Sequence, residues 1–377
     1  MVNLKTSEAI ATLVGTIIGA GVLGIPYVVA KVGILPGLFF LILIGLAALV
    51  LNLMFTEVIL RTRMRHQSAG YAKKYLGGSA HWVELISMFV GSYGALTAYL
   101  IGEGKVLSEM FGGDPKMYSI MFFALGAVLL FWGLEIIKVL ELWLVLVFIV
   151  IIFVIFGISS SYISIDNFMY YDIGVYNVLI LYGVILFAFG GAKSIVPMRE
   201  ILKKDKKKLR KAVILGSLIP LVIYIFFAIL VVGVTGKETS EVATVGLGDK
   251  VGPLMVVFGN LFAFFAMGTS FLTTGIVLKE VFMFDFKLNK IISWFFVIIV
   301  PFVILISGVN SFITIMGIAG SLTFGLTGII IILTFWKAKK NGNRKPEFSM
   351  PELKSVGALL IAMFLIGVIY TIFDILN

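Results

Sequence analysis

The feature that most constrains this chain is a succession of apolar stretches separated by short polar loops. A helix of about 20 apolar residues spans the roughly 30 Å hydrocarbon core of a bilayer. The apolar runs are continuous rather than alternating, which excludes a transmembrane β-barrel. Of the 377 residues, 60% are hydrophobic and only 13% are charged, too few charges for the surface of a soluble protein. The sequence therefore predicts an all-α membrane protein.

We predict eleven membrane spans in a single transmembrane domain over residues 1–377. The loops between them are too short to fold independently. The approximate bounds of spans 1 to 11 are 7–30, 36–60, 79–108, 117–133, 135–158, 176–198, 212–234, 252–282, 289–308, 311–336 and 354–374.

Lysine and arginine predict the orientation of the chain. If eleven spans alternate, the four most basic loops lie on one side, at about 61–74, 199–211, 279–290 and 337–345. Cytoplasmic loops carry an excess of these residues. The net charge of +10 therefore reflects orientation and contact with anionic headgroups rather than nucleic acid. We expect a multi-pass protein of the cell membrane, with the N-terminus in the cytoplasm and the C-terminus outside.

Two spans disfavour a continuous helix. Span 1 carries four glycines between Gly15 and Pro26, and span 6 carries Gly190 and Gly191 shortly before Pro197. Either segment alone could serve close helix packing. Together they lie five spans apart, and an odd spacing inverts the second copy of a five-helix unit. Interrupted helices at matching positions of inverted repeats indicate a transport site.

The interrupted segments also suggest what is carried. Unwound backbone is tolerated at membrane depth only where it lines a cavity. Freed N–H groups and helix N-termini bind carboxylates, whereas freed carbonyls bind ammonium groups or cations. An amino acid presents both groups. The sequence therefore predicts a secondary transporter for amino acids.

Four motifs in order carry a family resemblance: Gly19–Pro26, Tyr99–Glu103, Gly183–Glu200 and Phe312–Gly317. Here the chain resembles the amino acid/auxin permease family of the amino acid–polyamine–organocation superfamily, over nearly its whole length. The second motif usually ends in aspartate, where this chain has Glu103. The resemblance implies the LeuT-type fold and alternating access, coupled to a sodium or proton gradient. The fold is a 5+5 inverted repeat, about 7–158 and 176–336, with spans 1 and 6 broken and an extra helix at about 354–374.

The resemblance also implies a substrate site between spans 1, 3, 6 and 8. The carboxylate of the amino acid would meet the backbone of Ala20 and Gly21. Its amino group would meet carbonyls around Ala188, and Tyr99 would close over it. The full implied set is Gly19, Ala20, Gly21, Val22, Tyr99, Phe187, Ala188, Gly190 and Lys193.

Three of these residues have a plainer alternative. Tyr99 could be an aromatic at the membrane interface, and Phe187 could simply pack. Lys193 could face the pocket, where it would favour an acidic or polar substrate. It could instead snorkel toward the cytoplasm beside Arg199.

The coupling cation has two candidate sites. In span 8, the spacing of Ala266, Thr269 and Ser270 resembles the sodium site of sodium-coupled members of this fold, in which Gly15 and Ile18 add carbonyl oxygens. The alternative is that the hydroxyls of Thr269 and Ser270 bond to their own helix. Sodium is slightly favoured over a proton. For a proton, Lys138 is the alternative coupling residue.

Other classes of protein lack support. The chain has no cysteine, which excludes disulfides and thiolate metal sites. The two histidines, His66 and His81, flank a basic loop, so no histidine metal site and no cofactor are expected. A membrane-embedded enzyme would need a nucleophile or an acid–base pair at membrane depth, and no such cluster is visible. A sensor that binds an amino acid without net transport stays open. The expected partners are the substrate and the lipid bilayer; the oligomeric state is not determined.

Overall fold

The computed structural model describes residues 4–132 and 150–376, and these residues form helices and loops without a strand. Most of predicted span 5, including Lys138, lies outside the described residues. In chain order the α-helices are α1 Leu4–Ile17, α2 Ala20–Val32, α3 Ile34–Arg61, α4 Ser68–Leu76, α5 Gly78–Phe111, α6 Pro115–Trp132, α7 Val150–Tyr162, α8 Val175–Ala188, α9 Ile195–Ile201, α10 Lys208–Thr235, α11 Ala243–Val251, α12 Pro253–Phe284, α13 Lys290–Ile306, α14 Phe312–Asn341 and α15 Lys354–Leu376.

The helices agree with a multi-pass membrane protein. Within the described ranges, eight spans are long and apolar enough to cross a membrane, and nine if α1 and α2 form one bent span. The α13 helix is apolar but shorter, with 17 residues. Eleven crossings therefore stay a prediction. The short helices α4 and α11 fall in segments that the sequence analysis treated as loops.

The two ends of the chain differ in burial. In α2, all residues except Tyr27 and Lys31 are buried, and the helix packs against α3, α8 and α10. By contrast, α15 packs on α14 and exposes large apolar side chains such as Leu359, Ile366 and Ile369. An exposed apolar face of this kind suits contact with lipid.

Glycines bring α8 and α14 into backbone contact. A Cβ atom at Gly183 would overlap the carbonyl of Gly317, and one at Gly320 would overlap the carbonyl of Gly183. Small residues allow this approach in membrane helices, where van der Waals packing drives association. The contact anchors α8 just before its C-terminal end.

Both predicted interruptions are present. In the first, α1 ends at Ile17, α2 begins at Ala20, and the two helices are bent by 51°. Gly19 lies between them with the non-helical angles φ −137° and ψ −138°. The relation of the two halves of the chain by an inverted repeat stays a prediction.

The second interruption follows Ala188. A short 3-10 turn at Ala192–Ser194 leads into α9, whose first turn holds Pro197. Proline is tolerated there because the first N–H groups of a helix lack intrahelical partners. Residues Val175–Ile201 still form one apolar span of 27 residues. The interruption therefore changes the hydrogen bonding of the span without a bend like that of α1 and α2.

Candidate functional site

The two interruptions touch each other. A Cβ atom at Gly21, in the first turn of α2, would lie 2.5 Å from the Cβ atom of Ala188 and 2.6 Å from its Cα atom. Ala188 is the last residue of α8. Only a glycine at position 21 allows this approach, because the obstacle includes backbone. The structure therefore brings together the two segments that the sequence placed in the substrate site.

A tyrosine from a third helix joins both interruptions. The Tyr224 hydroxyl, on α10, lies 2.6 Å from the carbonyl oxygen of Ile17 and 3.3 Å from that of Ala188. It donates to these carbonyls, which belong to the final residues of α1 and α8. Tyr224 is 1% exposed, and its ring packs edge-on against Phe189.

Tyr224 was not predicted from the sequence. The available signal was a tyrosine in the middle of an apolar span, because a buried phenol requires a hydrogen-bond partner. That signal reveals the need for a partner, but not which carbonyls provide it.

The helix ends at this point carry opposite partial charges. The C-terminal ends of α1 and α8 present carbonyls and a partial negative charge. The N-terminal end of α2 presents the N–H groups of Ala20 and Gly21 and a partial positive charge. Ala20, Gly21 and Val22 are all buried. This arrangement can bind an ammonium group and a carboxylate a short distance apart.

Tyr99 belongs to the same region. It is buried on α5, and its hydroxyl interacts with the side chains of Ser270 and Thr274 on α12. Ser270 also faces the first interruption, since a Cβ atom at Gly19 would lie 2.8 Å from its Oγ atom. Tyr99 therefore lies inside the helix bundle rather than at an outer interface.

The remaining residues of the predicted substrate site lie around the second interruption. Phe187 is half-buried, and a Cβ atom at Gly190 would overlap the ring of Phe324 from α14. Lys193 is exposed, so the protein does not enclose its side chain. A role for Lys193 in binding substrate stays a prediction.

The proposed cation residues are brought together in part. Ala266 and Ile18 are buried, and Ser270 approaches the first interruption at Gly19. The Thr269 hydroxyl donates to the carbonyl of Phe265 at 2.7 Å, within its own helix. That hydrogen bond is the alternative that the sequence left open. Its oxygen keeps lone pairs that a cation could share.

Similarity to known proteins identifies the class of this chain. A profile described as the tryptophan/tyrosine permease family matches residues 5–374. The chain belongs to this family. It is therefore a multi-pass permease and not an enzyme, and no cofactor is expected of it. The finer resemblance to amino acid/auxin permeases stays an expectation.

The curated relatives are named as amino acid transporters. The "Tyrosine-specific transport system 1" of Haemophilus influenzae is 25% identical over 97% of this chain and 96% of its own length. The "Glutamine transporter 2" of Aliivibrio fischeri is 24% identical over 84% of this chain and 85% of its own length. The "Low affinity tryptophan permease" of Escherichia coli O157:H7 is 24% identical over 66% of this chain and 63% of its own length. These relatives support an amino acid permease.

On the basic face of this permease, Glu57 connects α3 to α14 and to the loop that follows α14. Its carboxylate is fully buried and accepts from Arg61 Nε at 2.7 Å, Lys339 Nζ at 2.9 Å and the Met350 N–H at 2.6 Å. Arg61 is on the same helix as Glu57, four residues along, as expected for an ion pair. Lys339 and Met350 come from α14 and the loop after it, so one carboxylate joins three segments.

On the opposite face, Glu241 likewise connects separate segments of the chain. It accepts from Lys105 Nζ at 2.6 Å, from the Ser311 hydroxyl at 2.9 Å and from the Phe312 N–H at 2.9 Å. These contacts join the far end of α5 to the start of α14 through the loop before α11. Both ends of the bundle are therefore tied by ion pairs in this conformation.

Proposed function

We propose that this permease imports neutral amino acids by alternating access, coupled to a cation gradient. The observation that carries the proposal is the junction of the two interruptions through Gly21, Ala188 and Tyr224. It offers both carbonyls and helix N–H groups to one small zwitterion. Tyrosine, tryptophan and glutamine, the amino acids in the relatives' names, are the first substrates to test.

The proposed architecture is the LeuT-type 5+5 inverted repeat, with the N-terminus cytoplasmic and the C-terminus outside. The paired interruptions support it, because inverted repeats place broken helices at corresponding positions. The ion pairs at Glu57 and Glu241 suit alternating access, since each face can open only when its own ties are released. Substrate binding between them would shift the equilibrium by its differential affinity for the two states.

For the coupling cation we propose sodium, bound by Gly15, Ile18, Ala266, Thr269 and Ser270. The approach of Ser270 to Gly19 supports the site, because it ties α12 to the first interruption. The double substitution Thr269→Val with Ser270→Ala removes two hydroxyl ligands. We expect it to weaken sodium-stimulated substrate binding far more than sodium-free binding. Uptake driven by a pH gradient in sodium-free buffer, and unchanged in the double variant, would refute sodium.

The deciding experiment for the function is uptake into proteoliposomes. Purified protein is reconstituted, and labelled tyrosine, tryptophan and glutamine are offered with an imposed sodium gradient, an imposed pH gradient or neither. We expect accumulation above empty vesicles only with a gradient. Binding without uptake under every condition would indicate a sensor instead, and neither binding nor uptake of any amino acid would overturn the proposal.

A further inference from the structure

Glu103 is a buried carboxyl group that the proposed site does not use. It lies on α5, one helical turn beyond Tyr99, and its exposure is 0%. Neither of its carboxyl oxygens has a hydrogen-bond partner among residues 4–132 and 150–376.

The described residues that surround this carboxyl group are apolar. A Cβ atom at Gly268, on α12, would lie 3.5 Å from Glu103 Oε1 and 3.8 Å from the ring of Phe122, on α6. Gly102, the residue before Glu103, lies against the side chains of Met267 and Phe312. The carboxyl group therefore points at a glycine of α12 and is flanked by a phenylalanine ring.

Among the described residues, the charged groups nearby are engaged elsewhere. Lys105, two positions along α5, pairs with Glu241 at the face of the bundle. On α6 and α12, which pack against this part of α5, the charged groups among the described residues are Lys116, the second residue of α6, and Lys279 and Glu280 toward the C-terminal end of α12. The Lys279 ammonium group donates to the carbonyl of Leu130. The ionisable side chain on the same face of α5 is Tyr99, whose hydroxyl turns to Ser270 and Thr274.

An ionised carboxylate in such surroundings is strongly disfavoured. Burial of a charge without a partner costs several kcal/mol or more, and ionisable residues at membrane depth mark functional sites. The neutral acid avoids this cost. In the conformation described, Glu103 therefore carries its proton.

We propose that Glu103 is a proton-binding site through which proton movement is coupled to transport. The inference rests on the proposed alternating-access function, and the proton is carried in addition to the proposed sodium ion. One O–H bond changes: the carboxylate takes a proton from water while the site is open to one side, and the acid returns the proton to water when the site opens to the other. Closure of α12 over Glu103 requires the protonated form.

The position of Gly268 links this proton to the substrate site. It precedes Thr269 and Ser270 directly, and Ser270 contacts both Tyr99 and the first interruption. When α12 approaches α5, the same movement therefore shields Glu103 from water and brings Ser270 to the proposed substrate site. Because such coupling is reciprocal, substrate binding promotes protonation and protonation promotes substrate binding.

The test replaces Glu103 by glutamine, which resembles the protonated acid but cannot release a proton. Proteoliposomes with the same sodium concentration on both sides are assayed for exchange of labelled against unlabelled substrate without a pH gradient, and for accumulation driven by a pH gradient. We expect Glu103→Gln to retain exchange and to lose pH-driven accumulation. Glu109→Gln, the same change on the same helix at a half-buried position, should keep both activities.

A second measurement uses the wild-type protein. Substrate is added to purified permease in weakly buffered detergent solution, and the proton uptake is recorded with a pH indicator. We expect uptake of protons by the wild type and by Glu109→Gln, and none by Glu103→Gln. If Glu103→Gln does not fold, the absence of substrate-linked proton uptake in the wild type would overturn the proposal.

Two other outcomes separate this proposal from the proposed function. Unchanged pH-driven accumulation in Glu103→Gln, or wild-type transport driven by sodium without proton uptake, would overturn the role of Glu103 and leave amino acid transport intact. Failure of the wild type to bind, exchange or accumulate any amino acid would overturn both.

Discussion

The two interruptions are closed by different kinds of neighbour. At the first, Gly21 meets Cα and Cβ atoms of Ala188, which cannot yield unless the α8 backbone moves. At the second, Gly190 meets the ring of Phe324, a side chain that can rotate. In the proposed substrate site, we therefore expect a substrate to open the second interruption by displacing a ring, while the first interruption holds its shape and supplies fixed backbone groups.

The two interruptions also differ in backbone geometry. The first interruption is abrupt, with a bend of 51° between α1 and α2. The second extends over several residues within one span, through a 3-10 turn. Tyr224 is common to both, since its hydroxyl lies near the last carbonyl of α8 and the last carbonyl of α1. Substitutions at the first and at the second interruption should therefore differ in the size of their effect on substrate binding.

The largest effect is expected at Gly21. In Gly21→Leu the side chain has no space beside the backbone of Ala188, so the interruptions separate and substrate binding is abolished. Overpacking of this kind costs about 1–3 kcal/mol, which the fold should survive. Scintillation proximity binding of labelled tyrosine, with helical content measured by circular dichroism, checks this.

Gly24→Ala provides the matched control for Gly21. It lies on the same helix, and its nearest obstacles are the ends of the Ile313 and Met316 side chains, at 3.1 Å and beyond. Binding should persist in that variant. Undiminished binding in Gly21→Leu would contradict the close junction of the two interruptions.

Tyr224→Phe should have the next largest effect. The substitution removes the Tyr224 donor from the carbonyls of Ile17 and Ala188. The Ile17 carbonyl still accepts from the Gly19 N–H, so the cost of about 1–3 kcal/mol for an unsatisfied group applies to the carbonyl of Ala188. The ammonium group of a substrate can replace the lost donor. We therefore expect lower thermal stability without substrate and a larger stabilisation by substrate than in the wild type.

The control for Tyr224 is Tyr182→Phe. Its hydroxyl lies 3.4 Å from the carbonyl of Met363, at the contact with α15 and away from the interruptions. Substrate should stabilise this variant as it does the wild type. If both variants respond to substrate alike, Tyr224 has no special part at the junction.

A smaller effect is expected at Gly190. In Gly190→Ala the added methyl group displaces the Phe324 ring, which should weaken substrate affinity moderately. The double variant Gly190→Ala with Phe324→Leu lacks this ring and should regain much of the lost substrate affinity, because residues in contact are energetically coupled. A double-mutant cycle of substrate affinities measures this coupling, and additive effects would show that the ring does not close the second interruption.

The smallest effect is expected at Gly19. The obstacle to Gly19→Ala is the Ser270 Oγ atom, one atom on a side chain that can change rotamer. Substrate affinity should fall slightly, and addition of Ser270→Ala should relieve the strain. A loss as large as that of Gly21→Leu would mean that the Ser270 side chain cannot move aside.

Much of this architecture could be predicted from the sequence. Apolar runs predicted most helices within a few residues, because the bilayer thickness sets their length. Glycine and proline predicted both interruptions, because these residues weaken helices wherever they occur. The short helices α4 and α11 were missed, since their composition is that of ordinary loops. The partners of Thr269 were left open, because a hydroxyl on a helix can bond inward or outward with equal ease.

The sequence alone determined that the chain lies in a membrane, roughly where its helices run, and which two are broken, since these follow from local composition and the solvent. Only the tertiary structure decided that Gly21 meets Ala188, that Tyr224 joins both interruptions and that Glu103 faces Gly268. These contacts join residues far apart in the chain. They depend on how helices rotate and pack against one another, and packing between helices leaves no periodic pattern that identifies the partner.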